Sequence, residues 1–168
     1  MNIYISLGSV VIALCAFCLT VYQANATRRH NRLSVRPHLC EKAYTDEHPL
    51  KGMTYTYEVG NNGIGPARIK SFKIYWKGKL WPRPWGDDFT SLLNELLRNR
   101  LNYVFQSSFA FGDESIRSGE RQVLLRLFFP DLTRNDRDKI LTIMSELKLR
   151  IAYESFYGEE FIFRSDPI

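Results

Sequence analysis

No Asp, Glu, Lys or Arg precedes Arg28, and no recognisable catalytic signature follows it. Without a basic stretch ahead of its apolar run, the chain does not begin as a secretory signal does. The twenty uncharged residues Ile3 to Tyr22 also outrun the roughly 7–15-residue core of such signals. Ala24-Asn25-Ala26 has the form of an A-x-A cleavage site, but the flanks favour a retained anchor. Cysteine is scarce: Cys15 and Cys18 lie in the apolar run, which leaves Cys40 alone beyond it and excludes a disulfide within the rest of the chain. A reducing compartment fits. The Cys15-x-x-Cys18 spacing carries no redox or zinc chemistry in hydrocarbon, where thiolates do not form.

A G-x-S-x-G elbow is missing. The carboxylate pairs Asp87-Asp88, Asp113-Glu114, Asp136-Asp138 and Glu159-Glu160 fall on opposite strand faces or at helix starts, so none forms an acid–base pair. His38, Cys40 and His48 have a spacing unlike a zinc knuckle. No enzyme activity, metal or cofactor is expected.

What is present begins with the anchor. About 20 residues at 1.5 Å rise cover the ~30 Å hydrocarbon core of a bilayer, which Ile3 to Tyr22 matches. Arg28, Arg29, Arg32 and Arg36 follow as a basic collar. Positive flanks stay in the cytoplasm, so the expected arrangement is a single span with residues 27–168 on the cytoplasmic side. The collar also rests on anionic lipid, which leaves it little scope for nucleic acid. Residues 1–26 read as the anchor, 27–48 as a basic juxtamembrane connector and 49–168 as one domain, and the whole formal net charge of +5 belongs to the residues after Ala26.

In that domain Met53, Tyr55, Tyr57 and Val59 alternate with Thr54, Thr56 and Glu58, the period of a half-buried strand. Residues 61–66 close it with turn chemistry, in which Asn62, Gly63, Gly65 and Pro66 are structural. A strand rather than a helix follows, so this loop lacks the helix amino end of a phosphate cradle. A second strand spans Ala67 to Lys77, and the parity change between Ile69 and Phe72 predicts a bulge near Lys70-Ser71. Phe89, Leu92, Leu93, Leu96 and Leu97 recur at helical spacing in 87–101. Further strands are predicted at Tyr103 to Phe111, Gln122 to Phe129, Leu147 to Glu154 and Glu160 to Arg164. A second helix runs Arg134 to Ser145, capped by Thr133, with Ile140, Leu141 and Met144 facing the core. Six or seven short strands with inserted helices make a mainly β chain. An antiparallel β-sandwich is expected after the transmembrane helix, with a small barrel as the alternative. The antibody Cys-Trp-Cys signature is missing, so any immunoglobulin likeness is topological.

The string from Tyr57 to Ala67, YEVGNNGIGPA, resembles the N-x-G-x-GPA strand-loop-strand of uncharacterised bacterial single-pass membrane proteins. Arg36-Pro37-His38-Leu39 is similar to their R-P-x-L stretch, and Ile151 to Phe161 to their final hairpin. The resemblance implies a bacterial inner-membrane protein with a β-sandwich and brings no catalytic residues. The helix near Asp87 and the Trp-rich stretch before it are not part of it.

Trp76, Trp81 and Trp85 are interleaved with Lys73, Lys77, Lys79 and Arg83. Trp76 reads as core. Trp81, Arg83 and Trp85 lie on a stiff, Pro-spaced loop and form the candidate contact surface. The expected function is a membrane-anchored binding or sensing module docking a protein partner, with a second copy of the chain as another candidate. The alternative is a membrane-disrupting effector of a toxin or phage-defence system, triggered by domain association. Paired carboxyl-terminal reporters, one active only in the cytoplasm and one only outside, test the topology. The cytoplasmic reporter should give the signal, and an external signal would overturn the charge argument.

Overall fold

The computed structural model describes residues 2–48, 52–82, 88–97, 102–106, 114–130 and 132–165. Two compact units emerge, Met1–Val35 and Arg36–Ile168. The first is helix α1 (Asn2–Ser34). The helix is long and apolar enough to cross a membrane, its most apolar 18-residue stretch having a mean hydropathy of 2.3. Its hydroxyls are satisfied internally: Ser9 donates to the Ile5 carbonyl at 2.9 Å and Thr20 to that of Ala16 at 2.8 Å. The helix continues past the apolar run because nothing in 23–34 breaks it, and it stops three residues before Pro37.

The described residues of the second unit form nine strands in two antiparallel sheets. One has the order β1 (Leu39–His48), β2 (Gly52–Asn61), β7 (Arg121–Phe129), β5 (Val104–Gln106). The other runs β4 (Lys79–Leu80), β3 (Ala67–Trp76), β8 (Leu147–Glu154), β9 (Glu160–Arg164), with β6 (Ser115–Ile116) also on β3. Tyr55, Tyr57, Val59, Leu125, Leu127 and Phe129 from the first sheet share one buried cluster with Phe72, Ile74, Leu149 and Ile151 from the second. A shared core between two inner faces makes a sandwich. Among the described residues no ladder joins the two sheets, as closure into a barrel would require.

The bulge expected near Lys70 is present: Ile69 pairs with Tyr153 and Ser71 with Ala152, leaving Lys70 as the extra residue. A second, at Leu124, lies between the Tyr57–Leu125 and Glu58–Val123 pairs. Helix α2 (Asp88–Leu97) buries Leu92, Leu93 and Leu97. Helix α3 (Arg134–Ser145) has Thr133 as N-cap and buries Ile140 and Met144, with Leu141 packed at the margin.

Two readings change. The stretch expected as a connector over 27–48 divides into the end of α1 and strand β1, whose partners run continuously from Leu39–Asn61 to His48–Gly52. Glu41, Lys42, Asp46 and Glu47 hide the strand in the sequence, because charge on an edge strand guards it against pairing with other chains. The two-residue strands β4 and β6 are too short to show a period. Of the strand expected over 103–111 the structure describes only the start, where β5 spans Val104–Gln106.

Polar groups enter the core at the β1 edge. The Tyr57 hydroxyl donates to the Glu41 carboxylate. Burial, with the Glu41 charge adding to it, pushes Tyr55 up from 10.0 to about 12. Tyr57 is raised too, first by burial and then by its bond to Glu41. Because the folded values lie above the unfolded ones, the stability these phenols contribute is complete below pH 10 and is lost as pH rises through the folded values. The unfolding free energy should therefore fall above pH 10, and Tyr55→Phe should flatten that slope. A denaturant series across pH 9–12 checks this; an unchanged slope in the variant would clear Tyr55 of the effect.

Candidate functional site

Of the Trp-rich stretch, the described residues Trp76 and Trp81 take different places. Phe72, Ile74 and Trp76 share the inward parity of β3, but Trp76 lies at the strand's end, where the core thins, and is only half-buried. Lys77 and Gly78 then turn the chain into β4 with φ of 48° and 77°, the double left-handed geometry of a two-residue hairpin. Lys77 is the one non-glycine with positive φ among the described residues. Its Nζ sits 5.5 Å from the centre of the Trp76 ring and 3.6 Å from Glu146 Oε2.

These residues open one end of a cleft of about 520 Å³. Glu95 and Leu96 of α2 line it with Asp138, Lys139, Thr142, Ile143 and Glu146 from α3 and the residue after it. Trp76, Leu96 and Ile143 supply the apolar surface. Lys77, Lys139, Glu95, Asp138 and Glu146 supply charges of both signs. The Thr142 hydroxyl is committed to its own helix, donating to the Asp138 carbonyl at 2.9 Å. The arrangement can receive an apolar side chain and align charged neighbours around it. It pairs no nucleophile with a base.

Trp81 supports the cleft from behind. Its backbone N–H donates to the Ile74 carbonyl at 2.9 Å and its indole N–H to Ser91 Oγ at 3.3 Å, tying the chain after β4 to α2. The ring is half-buried against the core, which corrects the expectation of an exposed contact: an indole beside both a core and a hydroxyl satisfies its face and its N–H together. Arg83 and Trp85 lie outside the described residues. Trp76, read as core, packs against the core at its margin and also lines the cleft. Leu96 and Ile143, apolar yet left out of the full core, are the sequence signal for the rest.

The Gly-rich loop is structural, and its centre is a residue the sequence did not single out. Asn61 is fully buried. Its Oδ1 accepts from the N–H groups of His38 at 3.0 Å and Gly63 at 2.9 Å. Its Nδ2 donates to the carbonyls of Gly65 at 2.7 Å and Ile116 at 3.0 Å. Gly63 is required by close approach, since a Cβ there would stand 2.4 Å from both Arg36 O and His38 N. Asn62, Gly65 and Pro66 complete the loop, with the Asn62 N–H donating to the His38 carbonyl at 2.8 Å.

Of the collar, Arg28, Arg29 and Arg32 lie on α1, whereas Arg36 belongs to the folded unit. It makes a forked pair with Glu159 at 3.3 and 3.4 Å and lies 5.8 Å from the centre of the Phe161 ring. Among the described residues no group of three or more His, Cys, Asp or Glu side chains is placed to hold a metal ion. Cys40 donates to the Gly60 carbonyl at 3.5 Å. No family model matches the chain, and no curated protein matches it significantly.

Removing the Asn61 amide strands donors and acceptors in three segments, the lead into β1, the 62–66 loop and β6. Asn61→Ala should cost about 3 kcal/mol of unfolding free energy, read by urea titration of the full chain in micelles. A midpoint equal to wild type would show the loop closing without it.

Proposed function

We propose that the chain is a bacterial single-pass inner-membrane protein whose cytoplasmic sandwich docks a protein partner in the cleft between α2 and α3. The cleft carries this reading. It joins aromatic and aliphatic surface to a rim of both charge signs, the composition of a contact that fixes register through its edge and gains affinity at its centre. Small-molecule sites instead enclose most of their ligand and converge polar groups on it. The apolar helix and the arginines after it support attachment and orientation. The resemblance to bacterial single-pass proteins supports the source.

Lys77 adds to the reading. A lysine held at φ 48° occupies a place that Asn or Gly fills more easily, so its charge is kept over Trp76 at a conformational cost. Strain retained beside a cleft is what a contact residue would show.

The test is site-specific photocrosslinking in membranes from a photoreactive residue at Thr142, with Arg126 on the outer face of the other sheet as the comparison position. Thr142 should give a discrete adduct whose mass exceeds that of two copies or differs from them, and Ile143→Arg should abolish it. Lys77→Asn should weaken it at least threefold without lowering thermal stability. Equal labelling from Thr142 and Arg126, or an adduct indifferent to Ile143→Arg, would sink the proposal. An adduct of two copies would make the partner the chain itself.

A further inference from the structure

The outer face of the five-stranded sheet carries its charges unevenly. At one end Glu154 neutralises two cations, standing 3.3 Å from Arg68 Nη1 and 2.9 Å from Lys70 Nζ. Toward the other end the pairing reverses. Lys73 of β3 is the register partner of Arg150 of β8, and Arg150 that of Arg164 of β9. All three point outward, opposite in parity to the buried Phe72, Ile74, Leu149 and Ile151. They form one transverse row with side chains about 5 Å apart at their bases. In the next row on the same face, Lys148 stands beside Tyr75. Among the described residues none of these four cations makes an ion pair with a carboxylate. The other sheet is arranged differently: there Lys42 stands opposite Glu58.

Like charges in register across a sheet oppose folding. A row three strands wide is therefore a cost that the fold itself does not require, since the same face balances its charges nearer the β8–β9 turn. The row lies at the cleft end: Lys73 is three residues from Trp76, and Lys148 follows Leu147, the register partner of Trp76. It lies away from where the chain enters the sandwich. Arg36 is fastened to Glu159, and Arg164 is five residues further on, roughly 17 Å along the strand. Single-stranded nucleic acid is disfavoured because this stretch offers one half-buried aromatic, Tyr75, rather than a series of stacking faces.

We infer that the docked partner is acidic and lays a segment with two or three Asp or Glu carboxylates across Lys73, Arg150 and Arg164 while its apolar anchor occupies the cleft. This rests on the docking reading above and adds the partner's chemistry. Two guanidiniums in the row can each take a carboxylate in the forked geometry that favours arginine, and Lys73 adds a point charge.

The test uses the full chain in neutral phosphatidylcholine nanodiscs with fluorescent hexaglutamate as the probe, at low and moderate salt. Wild type should bind it in a salt-sensitive way. Lys73→Gln/Arg150→Gln/Arg164→Gln should weaken binding at least tenfold, whereas Arg126→Gln should leave it within twofold. The triple variant should also melt about 3 °C higher, because it relieves repulsion. Trp76→Ala should leave hexaglutamate binding intact while reducing the Thr142 crosslink. Loss of probe binding with the crosslink intact would overturn the acidic partner and spare the docking site; loss of both in wild type would overturn both. Row-dependent binding of hexathymidylate or of phosphatidylglycerol vesicles that is tighter than that of hexaglutamate would also overturn it, as would an unchanged or lower melting temperature in the triple variant.

Discussion

Asn61 is the joint on which the sandwich closes. A buried amide has two donors and an acceptor oxygen to satisfy, and each is used on a different stretch of backbone. The oxygen takes the N–H groups of His38 and Gly63; the nitrogen supplies the carbonyls of Gly65 and Ile116. Its own backbone reaches further, accepting from the Gly119 N–H at 2.8 Å and donating to the Glu120 carbonyl at 3.0 Å. One residue, through its side chain and the two peptide groups that flank it, thus holds the lead into β1, the 62–66 loop, β6 and the turn into β7. The chain leaving the helix is fastened to the sandwich within four residues of Ser34, and Arg36 secures the same corner through Glu159. Because the amide is buried, these bonds are made without competition from water, and losing one strands its partner.

The two sheets meet different demands outside this joint. In the first, β1 is an edge strand as long as its neighbour, and exposed Lys42, Asp46 and Glu47 keep it from recruiting another strand. Its inward Glu41 is partly screened from water and takes the Tyr57 hydroxyl, so the phenol's donor is satisfied within the fold. In the second sheet the core side is apolar along β3 and β8, and Ser165 closes the end of β9 by accepting the Leu149 N–H at 2.7 Å. The helices cover the end of the sandwich where Trp76 stands.

What could be read in advance was whatever repeats along the chain. Ile140 and Met144 lie one turn apart behind a Thr133 cap, so α3 was legible to the residue. The alternation of Leu149, Ile151 and Tyr153 defined β8, and the parity slip before Phe72 located its bulge. Strand β1 was hidden because its charges answer to edge protection rather than to burial. Asn61 was passed over for the glycines beside it, since a turn-forming asparagine and a buried four-bond asparagine look alike without the segments it joins. The cleft was illegible for a related reason. Trp76, Leu96 and Ile143 come from three elements, and each alone resembles a peripheral core residue.

The corner that holds the cleft is also where local rules fail together. Lys77 occupies a left-handed conformation that a lysine does not favour, and Lys73, Arg150 and Arg164 stand in register with like charge. Elsewhere the same chain follows those rules closely: Gly52, Gly119 and Gly158 take positive φ, Glu154 neutralises Arg68 and Lys70, and Lys42 faces Glu58. A sequence that places glycine and carboxylate correctly in one part of the sandwich is not short of means to do so in another. Departures gathered at one end, beside an open groove, are what the docking proposal rests on. The surplus positive charge lies on the outer row of Lys73, Arg150 and Arg164 rather than on the cleft rim, where Lys77 and Lys139 meet Glu95, Asp138 and Glu146, and it is that row which makes the proposed partner acidic.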